Sequence, residues 1–291
     1  MDPCIVILAG GISSRMRKSE NAGLDPNLLH DADEKAKGMI GLGKAGRPFL
    51  DYLLANADAA GYRDAVIVVG ERDSSIRDYY GSAGRGSRFL GLHLSYAVQP
   101  IPPGRSKPLG TADALLHGLE SRPDWAGAKV TVCNSDNLYS VDALRCLRTA
   151  EEPCAMIDYD RDALLFDSGR VQQFAVIEKD PDGYVRSILE KPTLEEIARA
   201  AGPDGRVGVN MNAFRLSYDM IMPCLRRVTL HPVRQEKELP TAVMMVIAGT
   251  PRAVRAYPRA EHVPDLTDKT DIHQVQEYLR TLHDESPPRQ R

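Results

Sequence analysis

Short apolar runs alternate with segments of helical spacing through the first half of the chain. Residues 4–8 (CIVIL) are wholly apolar, as in a parallel strand that is covered on both faces. Further strands are predicted at 65–69, 92–98 and 130–133, and helices at 48–60, 111–119 and 141–150. This alternation predicts a mostly parallel sheet with helices packed on both faces.

The pattern changes after residue 150. Two apolar segments, 174–179 and 184–189, flank the turn sequence DPDG, which predicts a β-hairpin. Helices are expected at 193–201, 218–227, 238–248 and 271–283, and strands at 207–214 and 253–257. The sequence therefore predicts an α/β fold in a single domain, residues 1–283, with halves at 1–150 and 151–283.

Two segments show neither helical nor strand periodicity. Residues 19–34 are polar and unpatterned, which predicts a mobile loop. Residues 284–291 are polar and contain proline, which predicts a disordered tail.

Composition and charge exclude several classes of partner. The net charge is −3, and no basic patch suggests a nucleic-acid surface. The five cysteines are scattered, without CxxC spacing, as expected of free thiols in a reducing compartment. The sequence shows neither the basic leader of a secretory signal nor an apolar segment long enough to span a membrane. No membrane partner is therefore predicted, and the cytoplasm is the expected location. The sequence is compatible with a homo-oligomer.

A glycine pair follows the first predicted strand, in the sequence LAGGISSRM (8–16). Gly10 and Gly11 allow the backbone to approach a ligand closely, and their amides can point at phosphate oxygens. Arg15 then supplies a permanently charged fork for a polyphosphate.

A second loop precedes the helix at 111–119, in the sequence PLGTADAL (108–115). Gly110 permits close approach of a flat ring, and Thr111 is a plausible N-cap. Gln99 ends the preceding strand and can both donate and accept hydrogen bonds, so it can bind the edge of a base. Arg105-Ser106-Lys107 is interpreted as a solvated basic turn in preference to a phosphate contact.

A carboxylate follows the fourth predicted strand. Asp136 lies just beyond the carboxyl end of 130–133, where parallel sheets bind ligands. Magnesium takes few protein carboxylates and completes its shell with phosphate oxygens, so a second carboxylate should come from a distant segment. The sequence VPDLTDKTD (263–271) offers Asp265, Asp268 and Asp271, of which Asp271 looks more like a helix N-cap.

These motifs, in this order, resemble the sugar-phosphate nucleotidyltransferases, including the glucose-1-phosphate thymidylyltransferases and uridylyltransferases. The resemblance rests on LAGGISSRM, a following lysine, PLGTADAL, the strand-end Asp136, Glu190-Lys191-Pro192 after the hairpin, and the late Asp segment. It implies a Rossmann-like (GT-A-type) fold with a C-terminal mixed β-hairpin and helix half. The implied reaction joins a nucleoside triphosphate to a sugar 1-phosphate, or a related cyclitol phosphate, and releases pyrophosphate with Mg²⁺ as cofactor.

The resemblance also implies roles for individual residues. Arg15, Lys37 and Lys191 are the implied catalytic residues, with Lys35 as the competitor of Lys37, and Asp136 and Asp265 are the implied metal ligands. The implied nucleotide-binding residues are Leu8, Ala9, Gly10, Gly11, Gln99, Gly110 and Thr111. The implied substrate-binding residues are Asn137, Glu190, Lys191 and Asn210.

Two departures from the family pattern stand out. The segment between the glycine pair and Lys37 is longer than usual, and Asn212 stands where the family typically has glycine two residues after Asn210. The side chain of Asn212 is expected to narrow or re-aim the acceptor pocket. The polar segment 231–238 is interpreted as a solvated approach to a helix in preference to a cover over the site.

Three other functions fit parts of the sequence. A molybdopterin nucleotidyltransferase suits LAGGISSRM but lacks the half with Glu-Lys-Pro. A glycosyltransferase normally has an Asp-x-Asp metal motif, where this chain has Ser135-Asp136-Asn137. A non-catalytic nucleotide sensor need not keep all of the charged residues above.

Overall fold

The computed structural model describes residues 2–11, 13–20, 23–81 and 87–283, so the predicted tail 284–291 lies outside the described residues. The strands in these ranges are β1 Cys4–Ala9, β2 Asp64–Gly70, β3 Arg88–Phe89, β4 Leu92–Gln99, β5 Lys129–Asn134, β6 Cys154–Asp160, β7 Val176–Lys179, β8 Val185–Leu189, β9 Gly208–Val209, β10 Phe214–Ser217 and β11 Val254–Arg259. The α-helices are α1 Ser14–Lys18, α2 Pro26–Glu34, α3 Phe49–Ala59, α4 Ser75–Tyr80, α5 Thr111–Glu120, α6 Val141–Thr149, α7 Ser168–Val171, α8 Leu194–Ala200, α9 Tyr218–Arg227, α10 Leu239–Gly249 and α11 Asp271–His283.

One sheet contains the described strands of both halves of the chain. Its order is β3-β4-β2-β1-β5-β10-β6-β9-β7-β8, and β11 pairs with β6. The long ladders between β4, β2, β1 and β5 are parallel, as is the pairing of β11 with β6. The β7–β8 hairpin and the short strands β9 and β10 are antiparallel. The predicted mixed α/β fold with a mostly parallel central sheet is confirmed.

The apolar strand β1 separates two hydrophobic cores. Ile5 and Ile7 pack into the core on one face of the sheet, while Val6 and Leu8 pack into the core on the other. Because both faces are covered, every residue of β1 is buried, which explains the continuous apolar run. Within the described ranges, none of the helices combines the length and the apolar character that crossing a membrane requires.

Residues 19–34 contain a helix, so the prediction of a mobile loop is wrong. Asp25 caps α2 by accepting from the amides of Asn27 (2.9 Å) and Leu28 (3.2 Å). The inner face of α2 buries Leu28 and Ala32 against the core. Only these two positions are buried, so the helical stripe is too narrow to show in the sequence.

A buried lysine connects residues 19–34, which we call the insert, to the C-terminal segment that carries Asp265. Lys269 is 4% exposed and donates to Asp33 at 2.7 Å and to the carbonyl of Ser19 at 3.3 Å. The insert therefore supports the segment that follows Asp265.

The prediction of a single strand at 207–214 is also wrong. The structure has two short strands, β9 and β10, separated by residues 210–213, and Asn212 has a φ of 56°. The sequence prediction missed β6, although it lies between β10 and β9 and is buried almost throughout. Its sequence CAMIDYD mixes acidic residues with apolar ones, which hides the strand pattern.

We expect Leu28→Ala to lower the free energy of unfolding by about 2 kcal/mol or more, because it would leave a cavity under a docked helix. Chemical denaturation of the two proteins measures this difference. Asn27→Ala is the control, since Asn27 is exposed on the same helix and should change stability by no more than about 0.5 kcal/mol. Equal stability of Leu28→Ala and the parent would mean that α2 is not docked.

Candidate active site

A cavity opens at the carboxyl edge of the parallel strands. The turns after β1 and β5 and the end of β4 meet there, because parallel strands all end at one edge of the sheet. Its lining includes every predicted nucleotide-binding residue together with Arg15, Lys37 and Asp136. The lining residues are Leu8, Ala9, Gly10, Gly11, Ser13, Ser14, Arg15, Lys37, Gln99, Lys107, Pro108, Gly110, Thr111, Ala114, Asn134, Ser135, Asp136 and Glu236. We call this the first cavity.

Close packing around Gln99 fixes the wall of the first cavity. The buried Gln99 Nε2 donates to the carbonyl of Gly110 and to Asp113, both at 2.9 Å. Both hydrogens of this amide are therefore used, and Gln99 keeps only its acceptor Oε1 for a ligand. A Cβ on Gly10 would lie 2.6 Å from that oxygen, so only glycine fits there. The Nε2 group expected to donate to a base is thus already used inside the protein, and a base contact of Gln99 stays a prediction.

Gly110 and Thr111 connect the first cavity to the loop before α10. Gly110 has a φ of 105°, and a Cβ there would lie 2.7 Å from the carbonyl of Lys237. Gly110, and not Thr111, occupies the N-cap position of α5. The hydroxyl of Thr111 instead accepts from the amide of Leu239 at 2.9 Å.

Two loops join above the first cavity, which the sequence interpretation did not expect. Lys107 Nζ lies 2.5 Å from a carboxylate oxygen of Glu236, and the guanidinium of Arg105 donates to the carbonyl of Gln235. Lys107 and Glu236 line the first cavity. The basic turn at 105–107 is therefore not simply solvated, because it contacts segment 231–238, in which Glu236 lines the first cavity while Val233 and Gln235 are exposed.

Two carboxylates come together at the floor of the site. Asn137 and Asp265 form a backbone bridge, and the amide of Leu266 donates to the carbonyl of Asp136 at 2.8 Å. Burial, with a further contribution from the negative charge of Asp136, raises the pKa of Asp265 to about 6. The two carboxylates are thus close enough to repel each other.

Lysine 37 supplies one of the cations near this pair. Its Nζ donates to Asp136 at 2.9 Å inside the first cavity. Lys35, the competing candidate, pairs with Asp31 at 2.6 Å at the end of α2 and does not line either cavity. Of the two lysines, the structure brings Lys37 to the site.

Arg170 supplies the second cation and was missed in the sequence. It pairs with Asp265 at 2.5 Å and with Asp271, and its guanidinium lies 4.3 Å from the centre of the Phe166 ring. The surrounding sequence matches no motif, and an arginine near two phenylalanines is a weak signal. Asp271 also accepts from the amides of Thr267 and Asp268 (2.6 and 2.9 Å), so it closes a loop and is not the predicted N-cap.

A second cavity lies beside the first and is lined by polar side chains of the C-terminal half. Arg15 lines both cavities. The other lining residues are Phe166, Asp167, Arg170, Gln173, Phe174, Ala175, Glu190, Asn210, Asn212, Arg234, Asp265, Thr267, Asp268, Thr270, Asp271 and Gln274. Arg234, also missed in the sequence, pairs with Glu190 at 3.1 Å and with Glu238 at 2.7 Å. Arg234 and Glu238 are four residues apart in the sequence, and this spacing was the signal that could have indicated the ion pair.

Two predicted substrate-binding residues do not line either cavity. Asn137 is buried, and its side chain accepts from Asn134 at 3.4 Å. Lys191 is exposed next to Glu190, at the end of the hairpin. Its φ of 49° is left-handed, whereas a residue before proline usually has an extended backbone. The roles proposed for these residues stay predictions.

Curated relatives of the chain are bacterial enzymes. It is 23% identical over 224 residues to a glucose-1-phosphate adenylyltransferase of Koribacter versatilis, covering 76% of this chain and 49% of that protein. It is 30% identical over 192 residues to a glucose-1-phosphate thymidylyltransferase of Streptomyces antibioticus, covering 64% of this chain and 44% of that protein. The chain spans about half the length of the curated relatives it matches.

Solved structures share the fold. A UDP-glucose pyrophosphorylase complexed with UDP-glucose superposes with a TM-score of 0.69 at 16% identity, covering 97% of this chain and 100% of that one. A UTP-bound UGPase from Acinetobacter baumannii gives a TM-score of 0.69 at 17% identity, covering 98% and 95%. The family model described as nucleotidyl transferase matches residues 32–225. The chain therefore belongs to the nucleotidyl transferase family.

Proposed function

We propose that this protein transfers a nucleotidyl group from a nucleoside triphosphate to a sugar 1-phosphate or a related cyclitol phosphate. The observation that carries the proposal is the position of Arg15, which lines both cavities. A triphosphate in the first cavity and a phosphorylated acceptor in the second would meet at this side chain. Relatives named glucose-1-phosphate adenylyltransferase and thymidylyltransferase support this class of reaction.

The reaction needs no protein nucleophile. A phosphate oxygen of the acceptor attacks the α-phosphorus, and the bond from that phosphorus to the oxygen bridging the β-phosphorus breaks. The electron pair of that bond leaves with pyrophosphate, and no proton has to move, because the attacking phosphate is already ionised. Catalysis then depends on positioning and on stabilising the charge that moves to the leaving group.

Several residues of this chain are suited to those tasks. The backbone of Gly10 and Gly11 lines the first cavity, where it can follow the triphosphate closely. Arg15 has no ion pair within the described ranges, so its charge is available to the phosphates. Lys191 lines neither cavity, but it follows Glu190, which lines the second, and the family resemblance is the basis on which we assign it to the phosphate of the acceptor.

The donor set at the floor fits a magnesium ion. Burial, with a smaller contribution from the negative charge of Asp136, raises the pKa of Asp265, and a divalent cation held by these two carboxylates would favour their ionised forms. Two carboxylates suit an ion that completes its shell with phosphate oxygens and water. When bound, Mg²⁺ would supply charge stabilisation at the phosphates.

Lys37 and Arg170 differ in how fully the protein already uses their charges. Lys37 holds Asp136 and can also face a phosphate, because it lies inside the first cavity. Arg170 is shared between two carboxylates and an aromatic ring, which leaves it less free for a ligand. We therefore include Lys37, and not Arg170, among the groups that stabilise the transition state.

Pyrophosphate release tests the proposal. Each common nucleoside triphosphate would be mixed with a panel of sugar and cyclitol 1-phosphates, and pyrophosphate would be measured with and without Mg²⁺. We expect release that requires both substrates. Tight binding of a triphosphate without release against any acceptor would favour the non-catalytic sensor instead.

Asp136→Asn should lower kcat on the order of 1,000-fold while the protein stays folded. The substitution removes one of two carboxylate charges at the magnesium position, and metal assistance is worth several kcal/mol. Turnover and the thermal midpoint would both be measured, together with Mn²⁺ binding by electron paramagnetic resonance. Asp142→Asn is the control, since Asp142 is exposed on α6. Near-normal turnover of Asp136→Asn at saturating Mg²⁺ would remove Asp136 from the site.

Arg15→Ala should lower kcat about 100-fold to 1,000-fold, with a smaller change in the KM of either substrate. Its charge should matter most as pyrophosphate departs, as for other groups that stabilise developing charge. Steady-state kinetics with each substrate varied in turn separates kcat from KM. Arg17→Ala is the matched control, because Arg17 is exposed on the same short helix and does not line either cavity. An effect confined to the KM of the acceptor would place Arg15 outside the triphosphate site.

A further inference from the structure

The break between β9 and β10 presents one side chain to the second cavity in a fixed orientation. The carbonyl of Met211 accepts from the hydroxyl of Tyr139 at 2.7 Å, and the carbonyl of Ala213 accepts from the amide of Ile157 at 3.0 Å. Both neighbours of Asn212 are buried. The backbone of Asn212 is therefore held on each side, while its side chain lines the second cavity.

Asn210, which the sequence predicted to bind the substrate, is occupied in holding Asn212. Its Oδ1 accepts from the amide of Asn212 at 2.9 Å, and its Nδ2 donates to Asn212 Oδ1 at 3.2 Å. Asn210 is also the more buried of the two. Among the described residues, Nδ2 of Asn212 has no partner, so it is the amide group left for a ligand.

The backbone alone does not account for an asparagine at this position. Asn212 has a φ of 56°, a conformation that asparagine tolerates and glycine adopts at no steric cost. Glycine would thus serve the turn at least as well. What asparagine adds is a donor and the volume of an amide inside the second cavity.

We propose that Asn212 determines which acceptor this protein accepts. Its Nδ2 donates a hydrogen bond to an oxygen of the acceptor, and its side chain fills space that a bulky exocyclic substituent would need. The acceptor class is therefore a compact ring polyol 1-phosphate without such a substituent on that side. This inference rests on the proposed function and adds the basis of its acceptor choice.

Two substitutions separate the effect of the hydrogen-bond donor of Asn212 from that of its side-chain volume. Asn212→Gly removes both and relieves the left-handed backbone. Asn212→Asp keeps the shape and the Oδ1 that accepts from Asn210, but replaces the donor with an acceptor oxygen. Leu90→Gly is the matched control, because Leu90 is also left-handed, at a φ of 54°, and is exposed away from both cavities.

The probes are xylose 1-phosphate and glucose 1-phosphate, which share a pyranose ring and differ by one hydroxymethyl group. The parent should prefer xylose 1-phosphate in kcat/KM. Asn212→Gly should shift that preference toward glucose 1-phosphate by about 10-fold or more, the scale on which a pocket discriminates one extra group. Asn212→Asp should raise the KM for xylose 1-phosphate by about 10-fold, since a hydrogen-bond donor is lost. The KM of the triphosphate should not move in either variant.

The outcomes distinguish this inference from the proposed function. A parent that releases pyrophosphate, but whose preference is the same in Asn212→Gly, would overturn the role of Asn212 alone. An equal rise in KM for acceptor and triphosphate would show a structural role and also overturn it. A parent that releases no pyrophosphate with either probe and any triphosphate would overturn the proposed function for these acceptors, and this inference with it.

Discussion

Like charge on two neighbouring carboxylates is the constraint around which the site is built. Asp136 follows a central strand, whereas Asp265 comes from far along the chain, and backbone pairing between 137 and 265 holds the two segments together. Each carboxylate already has a cation from another segment, Lys37 for the first and Arg170 for the second. Four distant parts of the sequence thus meet where two negative charges are compensated in a partly buried place.

The glycines of the site follow from a second constraint, which is the lack of room beside Gln99. Gly10 gives space to the oxygen of that side chain, and Gly110 gives space to the loop that crosses above it. The same loop carries Glu236 to the first cavity and Arg234 to the second. One polar segment, 231–238, therefore lines both cavities, and its contacts with 105–111 hold it at the sheet edge.

The sequence predicted the parallel centre and most of the helices, because buried strands and amphipathic helices leave periodic patterns. It also predicted Gly10, Gly11, Gly110 and Asp136 of the first cavity, since glycines and a strand-end carboxylate are tied to local geometry. The positions of Arg170 and of segment 231–238 could not be predicted in this way, because they depend on contacts across about a hundred residues or more. Helix α2 and strand β6 were not predicted. The apolar stripe of α2 is narrow, and acidic residues interrupt the apolar sequence of β6, so neither element shows its period clearly. The backbone of Lys191 shows that a local preference can be overridden by its surroundings.

The buried ammonium of Lys269 restricts how this protein can change in length. Loops on a surface usually tolerate deletion, because nothing beneath them depends on their atoms. Here the insert supplies Ser19 and Asp33 as acceptors for a lysine that is 4% exposed. Trimming residues 19–34 would remove both of these acceptors at once and leave the ammonium of Lys269 without them. A shorter descendant would have to replace Lys269 in the same evolutionary step, so the insert and the lysine are expected to be gained or lost together.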